Sequence, residues 1–281
     1  MNKKPYILFV MVALLASACT EQELSDVRPF ASLISFRSDM GESPTRATDL
    51  QFEDGDSISV VAFLKADAFG GSAYDEGKYI CADGFFSATT EADQIVATEN
   101  KDSLAYRAVY PYVKGAPTGK SFTFSVQSDQ SQPNAYTASD LMTAVTEATD
   151  EFVPTLRFRH RLSKLLFKVT SEEGVSVSNL SISMVNAFSQ AEMDFEADTC
   201  YALKTERATV VAASDGTNRY KMLLPPQNLS ATNQISLTVT SPDLSLLAPP
   251  SFDLPVALKS GYQTTFELLI KKDLSIELKV L

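Results

Sequence analysis

Apolar and polar residues alternate with a period of two along most of this chain, and this alternation decides the class of fold that it can adopt. After residue 30, short runs with apolar side chains at every second position follow one another. Successive side chains of a strand point to opposite faces of a sheet, so this spacing predicts strands with one buried face. The apolar positions are Ile58, Val60 and Phe63; Leu104, Tyr106, Ala108 and Tyr110; Phe122, Phe124 and Val126; Leu156, Phe158, His160 and Leu162; Leu165, Phe167 and Val169; Leu180, Ile182 and Met184; Tyr220, Met222 and Leu224; and Ile235, Leu237 and Val239. Two further strands are predicted at the C-terminus.

One segment departs from this alternation. Residues 138–148, "ASDLMTAVTEA", have apolar residues at helical spacing and begin near Ser139, a candidate N-cap, so a short helix is predicted there. Polar, loop-like residues between 129 and 154 surround it, which predicts a domain boundary. The chain is long enough for two domains of about 100 to 150 residues. We therefore expect a mainly β fold of two antiparallel β-sandwich domains, the second covering residues 154–281.

The N-terminus has the pattern of a secretory signal. Lys3 and Lys4 precede an apolar run of about a dozen residues, too short to span a bilayer as a helix. The following "LLASAC" resembles a bacterial lipobox, which predicts cleavage of residues 1–18 and acylation of Cys19. Each buried methylene of an acyl chain contributes about 0.8 kcal/mol, and stable anchoring takes more than one chain. The alternative is an ordinary signal peptide followed by a chance cysteine.

Charge excludes one class of partner. The formal net charge is −11, and loss of Lys3 and Lys4 with the signal makes it −13. Nucleic-acid binding depends on clustered Lys and Arg, so we expect no nucleic-acid partner. Cys81 and Cys200 are the cysteines left after Cys19. Their spacing leaves both a disulfide and two buried free thiols open.

No pattern for catalysis or metal binding is present. His160 is the one histidine, on the predicted strand face of Phe158 and Leu162. A catalytic histidine needs a nucleophile or carboxylate beside it, and a metal site usually needs further His or Cys ligands. Neither is indicated, so His160 is interpreted as a hydrogen-bonded structural residue. We expect no catalytic residues, no metal and no cofactor, and the protein is predicted not to be an enzyme.

Several motifs together resemble the fimbrillin-like (Mfa-like) proteins of Bacteroidetes, which are subunits of type V pili. They are the lipobox, "TRAT", "SISVVAF", "YPY" at 110–112, "ASDLM" at 138–142, "LRFRHRLSKLLFKV" at 156–169 and a closing pair of apolar strands. The pattern F-x-H-x-L-x-K-L-x-F-x-V is the most specific part. The resemblance covers nearly the whole chain and implies two tandem transthyretin-like β-sandwich domains. Glu21 and Glu23 also resemble the acidic signals that send lipoproteins of these bacteria to the cell surface.

The resemblance implies proteolytic processing after the first strand. An Arg-specific or trypsin-like protease would cut between Arg46 and Ala47, so that residues 19–46 form a lipidated N-terminus with a cleavable strand around Ala31 to Phe36. The N-terminal domain would then cover residues 47–153. Removal of a strand leaves an unpaired sheet edge and an apolar groove, which a strand of a second subunit can fill. The alternative is that Arg46 is an ordinary solvated loop arginine.

The predicted donor strand lies in the C-terminal "LSIELKVL". Its apolar face carries Leu274, Ile276, Leu278 and Val280, and burial of four such side chains contributes on the order of 6 to 12 kcal/mol before entropy costs. The alternative is a final strand that closes its own domain. The chain ends at Leu281 without the tryptophan-containing tail expected in many relatives, which favours a tip position over a stalk position.

These expectations combine into a predicted function. The protein would be a structural or adhesive subunit of a type V pilus, a palmitoylated lipoprotein of the outer membrane that is exposed at the cell surface. Its partners would be other pilus subunits, the membrane through the lipid, and the Arg-specific protease. Stalk, tip and anchor positions remain open. The alternative is a monomeric surface lipoprotein that binds a glycan or a host ligand.

Overall fold

A computed structural model describes residues 33–40, 51–65, 71–97, 103–247 and 255–281. Within these ranges the chain is built of strands and short 3-10 turns, so the predicted mainly β fold is confirmed. The strands, in chain order, are β1 Phe36–Met40, β2 Ser57–Leu64, β3 Asp75–Ala82, β4 Phe85–Ala88, β5 Leu104–Tyr110, β6 Ser121–Ser125, β7 Met142–Val145, β8 Thr155–His160, β9 Ser163–Ser171, β10 Ser181–Phe188, β11 Gln190–Asp194, β12 Thr199–Ala202, β13 Arg207–Val211, β14 Ala213–Ser214, β15 Arg219–Leu224, β16 Asn228–Leu229, β17 Ser236–Thr240, β18 Val256–Ala257, β19 Gln263–Ile270 and β20 Ile276–Val280. The 3-10 turns are Glu91–Asp93, Ala116–Thr118, Thr137–Ser139 and Ala231–Asn233.

Seven strands close into a barrel in the order β1, β4, β3, β2, β5, β7, β8, and β8 pairs back to β1. The closing pair is parallel, with Arg37 opposite Thr155 and Met40 opposite Phe158. The other neighbours in the barrel are antiparallel. Alternate side chains of these strands point inward, as the period of two predicts. The largest buried side chains of this core are Phe36, Ile58, Tyr79, Phe86, Tyr106 and Phe158.

The remaining strands form a second unit around a separate core. Its sheets have the orders β14-β15-β9-β19-β20, β13-β10-β17, β12-β11-β6 and β16-β18. Strands β9 and β19 are parallel neighbours, and the stacked rings of Phe167 and Phe266 lie 5.2 Å apart between them. Side chains from all three larger sheets share the core, including Met184, Met193 and Met222. The parallel pairs β1–β8 and β9–β19 are exceptions in a fold that was predicted to be mainly antiparallel.

Residue 153 does not separate the strands of the barrel from those of the second unit, which differs from the predicted division into two domains. Each unit contains a strand from the other side of this position. Strand β6 precedes this position yet pairs with β11 of the second unit, and β8 follows it yet closes the barrel. The boundary was predicted from the polar residues between 129 and 154, but polar stretches occur at chain reversals as well as in linkers between domains. In this region the chain leaves the barrel after β5, returns for β7 and β8, and leaves it again at β9. The barrel is also closed, whereas a sandwich has two separate sheets.

Arg107 of β5 lies where the barrel meets the second unit. Its side chain is buried, with the guanidinium carbon 5.1 Å from the ring centre of Phe63 and 4.9 Å from that of Phe195. Nη1 donates a hydrogen bond of 2.9 Å to the carbonyl oxygen of Gly119. Burial lowers the pKa of this guanidinium, and the nearby Glu196 carboxylate partly opposes the shift. The aromatic rings and the carbonyl compensate the cation for lost water.

The helix predicted over residues 138–148 is wrong, because β7 occupies Met142–Val145. Met142 and Ala144 point into the barrel core, and strands β5 and β8 pair with β7 on its two sides. The short apolar run fits either structure, and the pairing partners decide for the strand. The Ser139 hydroxyl does not cap a helix. It accepts a hydrogen bond from the Gln127 amide and donates one to the Ala135 carbonyl.

His160 is a hydrogen-bonded structural residue, as predicted. Nδ1 lies 2.9 Å from a carboxylate oxygen of Asp140, and both side chains are buried. Strand β8 ends at His160, and Leu162 enters the core of the second unit instead of sharing a face with Phe158. Cys81 and Cys200 are buried free thiols in different cores. Within the described ranges, no helix is long and apolar enough to cross a bilayer.

Candidate functional site

The candidate site consists of the extended segment 33–40 and the cleft that this segment fills. The cleft lies between β4 and β8 of the barrel, and we call it the first-strand groove. Ile34 and Phe36 point inward with 5% and 0% of their surface exposed. Arg37 and Asp39 point outward and are exposed. This alternation follows from the strand geometry, and it gives the segment one face that belongs to the barrel core.

Backbone hydrogen bonds hold the segment on both sides of the groove. The Ile34 amide donates to the Ile95 carbonyl at 3.1 Å, and the Arg37 amide donates to the Pro154 carbonyl at 3.0 Å. Pairing with β8 covers the stretch from Arg37 to Met40, whereas pairing with β4 covers only two positions. Without the segment, both neighbouring strands would present unpaired backbone groups.

Phe36 is the central apolar contact of the groove. Its ring meets those of Tyr79 and Tyr106 edge to face, with centroids 4.9 Å and 5.0 Å apart. The Tyr79 hydroxyl accepts a hydrogen bond from the Ile95 amide at 3.0 Å. Burial raises the pKa of both tyrosines well above the ordinary value, which further favours their neutral hydroxyls. The groove is therefore apolar and uncharged around Phe36.

Outward contacts of the segment are weak. The Arg37 guanidinium lies 5.7 Å from the ring centre of Phe85, and the Asp39 carboxylate lies 3.4 Å from Nε of Arg157. Both contacts are at the surface, where an ion pair contributes about 0–1 kcal/mol and a cation–π contact about 0.5–1 kcal/mol. Retention of the segment consequently depends on its inward side chains and its backbone.

A small cavity continues the groove beyond Ile34. It encloses about 150 Å³ and is lined by Ile34, Leu104, Tyr106 and the half-exposed Phe152 among others. A strand that occupied this cavity would meet these apolar side chains beside the polar residues at 149–151.

The predicted processing and lipidation residues lie outside the described residues. These are Arg46, Ala47 and Cys19. The first strand was predicted around Ala31 to Phe36; the structure has it at Phe36–Met40, preceded by a bridge between Leu33 and Val96. The whole strand nevertheless precedes Arg46 in the sequence.

The predicted donor strand is an edge strand of the second unit. Among the described strands, β20 pairs with β19 alone, from Ile276 opposite Ile270 to Val280 opposite Phe266. Of the four predicted donor residues, Ile276 is buried, Leu278 is partly buried and Val280 is 41% exposed. Leu274 precedes the strand in a turn, with φ 65°. In this state the strand completes its own sheet, with little burial at its outer end.

Sequence reasoning missed the wall of the groove that β3 and β4 form. Their connection is the dipeptide Asp83-Gly84, with φ angles of 51° and 79°. Both angles are positive, as a two-residue turn between antiparallel strands requires, and Asp-Gly is a strong hairpin signal. That signal, placed between "KYICA" and "FFSA", could have identified the two strands. Nothing in the sequence indicated that β4 would neighbour β1.

The described residues contain no group of three or more His, Cys, Asp or Glu side chains placed to hold a metal ion. Several buried polar side chains of this part of the structure instead form hydrogen bonds with the backbone. The Gln130 side chain, for example, bonds the Leu223 backbone through both its oxygen and its nitrogen at 2.8 Å.

The sequence and the fold were compared with those of known proteins. A sequence model of the fimbrillin-like family matches residues 45–281. A candidate cell adhesion protein from Bacteroides uniformis has a similar structure at 22% identity, with a TM-score of 0.65 over 89% of this chain and 98% of that chain. Another from Bacteroides ovatus has a TM-score of 0.68 at 15% identity, covering 89% and 95% of the two chains. A fimbrial protein from Bacteroides vulgatus has a TM-score of 0.51 at 14% identity, covering 89% and 98%. Comparison with curated proteins gave no match.

Proposed function

This chain belongs to the fimbrillin-like family, and from that premise we propose that it is a subunit of a surface fimbrium whose subunits are joined by exchange of one strand. Membership of this family supports a structural or adhesive role in an appendage of the cell surface. The similar structures from Bacteroides uniformis and Bacteroides vulgatus are described in terms of cell adhesion and of fimbriae, respectively, which supports the same proposal.

The observation that carries the proposal is the position of β1. This strand supplies Phe36 to the barrel core and closes the barrel between β4 and β8, yet it lies wholly before Arg46 in the sequence. A cut between Arg46 and Ala47 would break its only covalent link to the rest of the barrel. Hydrogen bonds and the inward side chains would then be all that retains it, so another strand could replace it.

The replacement strand in this proposal is β20 of a second copy or of a related subunit. The alternating residues Ile276, Leu278 and Val280 have the same spacing as the inward positions of β1, and Leu274 extends the pattern. An edge strand with an exposed outer end is more easily released than a central one, because it loses one row of hydrogen bonds. The exposed Val280 would gain burial on insertion.

Lipidation at Cys19 fits the same scheme. Acyl chains on this residue would hold the uncut chain at the outer membrane through the segment that leads into β1. Cleavage after Arg46 would separate the barrel from the lipid at the step that opens the groove. A subunit that escapes cleavage would remain as an anchor.

Limited digestion with trypsin of a chain that begins at Thr20, the residue after the predicted lipidation site, tests the proposal. We expect a cut after Arg46, loss of residues 20–46 by intact mass, and conversion of the monomer to a ladder of oligomers in size-exclusion chromatography. Exchange of Arg46 for Gln is the matched control and should leave the chain intact at this position and monomeric.

A second control separates cleavage from exchange. Deletion of residues 274–281 should leave the Arg46 cut unchanged and abolish the oligomers, because the donor strand is then missing. Cut protein with an intact C-terminus that stays monomeric at high concentration would contradict strand exchange between copies of this chain. Oligomers formed equally well by the deletion variant would contradict the role of β20.

A further inference from the structure

A cationic pocket lies on the second unit, away from the first-strand groove. It encloses about 540 Å³ between the segment from Tyr201 to Arg207, the turn around Gln227 and Asn228, and Asn233. This volume is within the range of about 300–1,000 Å³ that is typical of small-molecule sites. We call it the Arg207 pocket.

The charge of the Arg207 pocket is opposite to that of the protein. The whole chain carries 35 acidic and 24 basic side chains. The lining of this pocket includes Lys204 and Arg207 and, among the described residues, no carboxylate. Neither cation has an ion-pair partner within the described part of the chain. A locally positive cavity on an acidic surface selects for an anionic ligand.

Arg207 is held in a fixed position. Its guanidinium carbon lies 4.0 Å from the ring centre of Phe188, and Nη1 donates to the carbonyls of Asn186 at 2.9 Å and Asn233 at 2.8 Å. Within the described part of the chain, the hydrogen bonds of Arg207 use this one nitrogen, so Nη2 and Nε can donate to a ligand. A guanidinium that is already ordered loses little side-chain entropy when it binds an anion.

The turn that forms the pocket floor is equally well ordered. Gln227 is buried, accepts a hydrogen bond from the Phe188 amide at 2.9 Å, and donates to the carbonyls of Phe188 and Pro225. The pocket is therefore built on fixed backbone, with Asn228 exposed at its rim. The Asn228 amide supplies both a donor and an acceptor, which suits hydroxyl groups.

Tyr201 adds an aromatic surface to this polar set. Its side chain lines the pocket and is 46% exposed, although its strand neighbour Cys200 is buried. An exposed aromatic ring offers apolar area with a polar tip. The pocket therefore offers cations that can bind an acidic group, an amide that can bind hydroxyl groups, and an aromatic ring that can pack against an apolar face. One class of ligand carries all three of these features.

We propose that the Arg207 pocket binds an acidic saccharide, that is, a sugar ring carrying a carboxylate. The carboxylate would meet the free nitrogens of Arg207 and the Lys204 ammonium, and the ring would lie against Tyr201. The site would give the protein a ligand whether or not its subunits exchange strands, so the two proposals can fail separately.

Titration calorimetry on the chain that begins at Thr20 tests this site. The probes are sialyllactose and trigalacturonate, which carry the carboxylate on different sugars, with lactose as the neutral comparison. We expect heat of binding from at least one acidic probe and none from lactose. Affinity should fall as salt is added, because screening weakens the charge contacts.

Two pairs of variants locate the binding. Lys204→Glu should lower the affinity by about tenfold or more, the usual effect of losing a charge-assisted contact. Lys168→Glu makes the same charge change at an exposed site on β9 and should leave affinity unchanged. Tyr201→Ala should weaken binding, whereas Tyr74→Ala, at another exposed tyrosine, should not.

Either of two results would overturn the proposal. The first is no binding of either acidic probe, or equal binding of lactose. The second is binding that Lys204→Glu and Tyr201→Ala leave unchanged while both proteins keep the melting temperature of the parent chain. A difference between the two acidic probes would identify the source of the carboxylate.

Discussion

At Gly77 the backbone of β3 passes so close to another segment that no side chain fits. A Cβ atom there would lie 2.0 Å from the carbonyl oxygen of Asp93. The Asp93 segment is itself fixed, because its carboxylate accepts hydrogen bonds from the Lys78 amide and the Thr90 hydroxyl. We expect Gly77→Ala to lower the free energy of unfolding by about 1–3 kcal/mol, measured by urea denaturation.

Gly119→Ala is the comparison for this substitution. Its added Cβ would meet the nearest atom, the Ser121 carbonyl oxygen, at 3.2 Å, so a smaller loss is expected. Equal losses for the two variants would contradict the close contact with Asp93 as the cause of the effect, because replacing glycine by alanine otherwise stabilises a chain by restricting its unfolded state.

The buried thiol of Cys200 gives a pH dependence. Burial raises its pKa from 9.0 to about 12, partly opposed by the Arg161 guanidinium. The folded state therefore holds this proton more tightly than the unfolded state. The resulting stability is complete below pH 9 and is lost as pH rises toward 12. Urea denaturation across this range should show a smaller decline for Cys200→Ala than for the parent chain, and identical slopes would contradict the assignment.

Individual residues were only partly predictable. That His160 would be a hydrogen-bonded structural residue followed from its isolation in the sequence. Its partner Asp140 did not, because the contact joins β8 to the end of a 3-10 turn 20 residues earlier. The need for glycine at position 77 was equally hidden, since it comes from a neighbour across the fold.

Strand β1 illustrates how unequally the residues of one element contribute. Phe36→Ala should lower the free energy of unfolding by about 3–5 kcal/mol, because a large ring is removed from between Tyr79 and Tyr106. Asp39→Ala changes an exposed residue of the same strand and should stay within about 0.5 kcal/mol.

Urea denaturation of both variants measures this difference directly. If Phe36→Ala were as stable as Asp39→Ala, the strand would not be held by its inward face. Apolar contacts would then not explain why the strand stays in the first-strand groove. The trypsin test would still show whether the chain is cut at Arg46.

Elements with strong alternation were predictable, and elements defined by partners were not. Strands β2, β5, β6, β8, β9, β10, β15 and β17 lie where the period of two placed them. Strand β7 was mistaken for a helix because four residues carry too little pattern, and its two neighbours decide its conformation. The Asp83-Gly84 turn held a usable signal for β3 and β4 that the alternation alone did not give.

At the scale of the whole molecule, the crossing of strands between the two units predicts how fragments behave. A fragment of residues 154–281 lacks β6 and carries β8 without its barrel partners. We expect it not to fold alone, as judged by far-ultraviolet circular dichroism and the absence of a cooperative urea transition. Mixed with a fragment of residues 33–153, it should form a complex that does unfold cooperatively.

Cooperative unfolding of the 154–281 fragment by itself would contradict this expectation and would support a domain boundary at residue 153. The Arg107 contacts with Phe63 and Phe195 point to strong coupling between the barrel and the second unit. The choice of which strand completes which sheet was beyond sequence reasoning, since alternation reports a buried face and not the neighbour at each edge.

The parallel pairing of β1 with β8 has a consequence for the order in which the molecule takes shape. Residues 37 and 155, which pair at one end of this contact, are separated by about 120 positions. Ribosomes deliver the N-terminal end first, and contacts between distant positions form slowly because long loops must close. Strand β1 is therefore synthesised first and stays without its partner β8 until most of the barrel has been synthesised. Throughout that interval its apolar face, with Ile34 and Phe36, is open to any chaperone that binds extended chain.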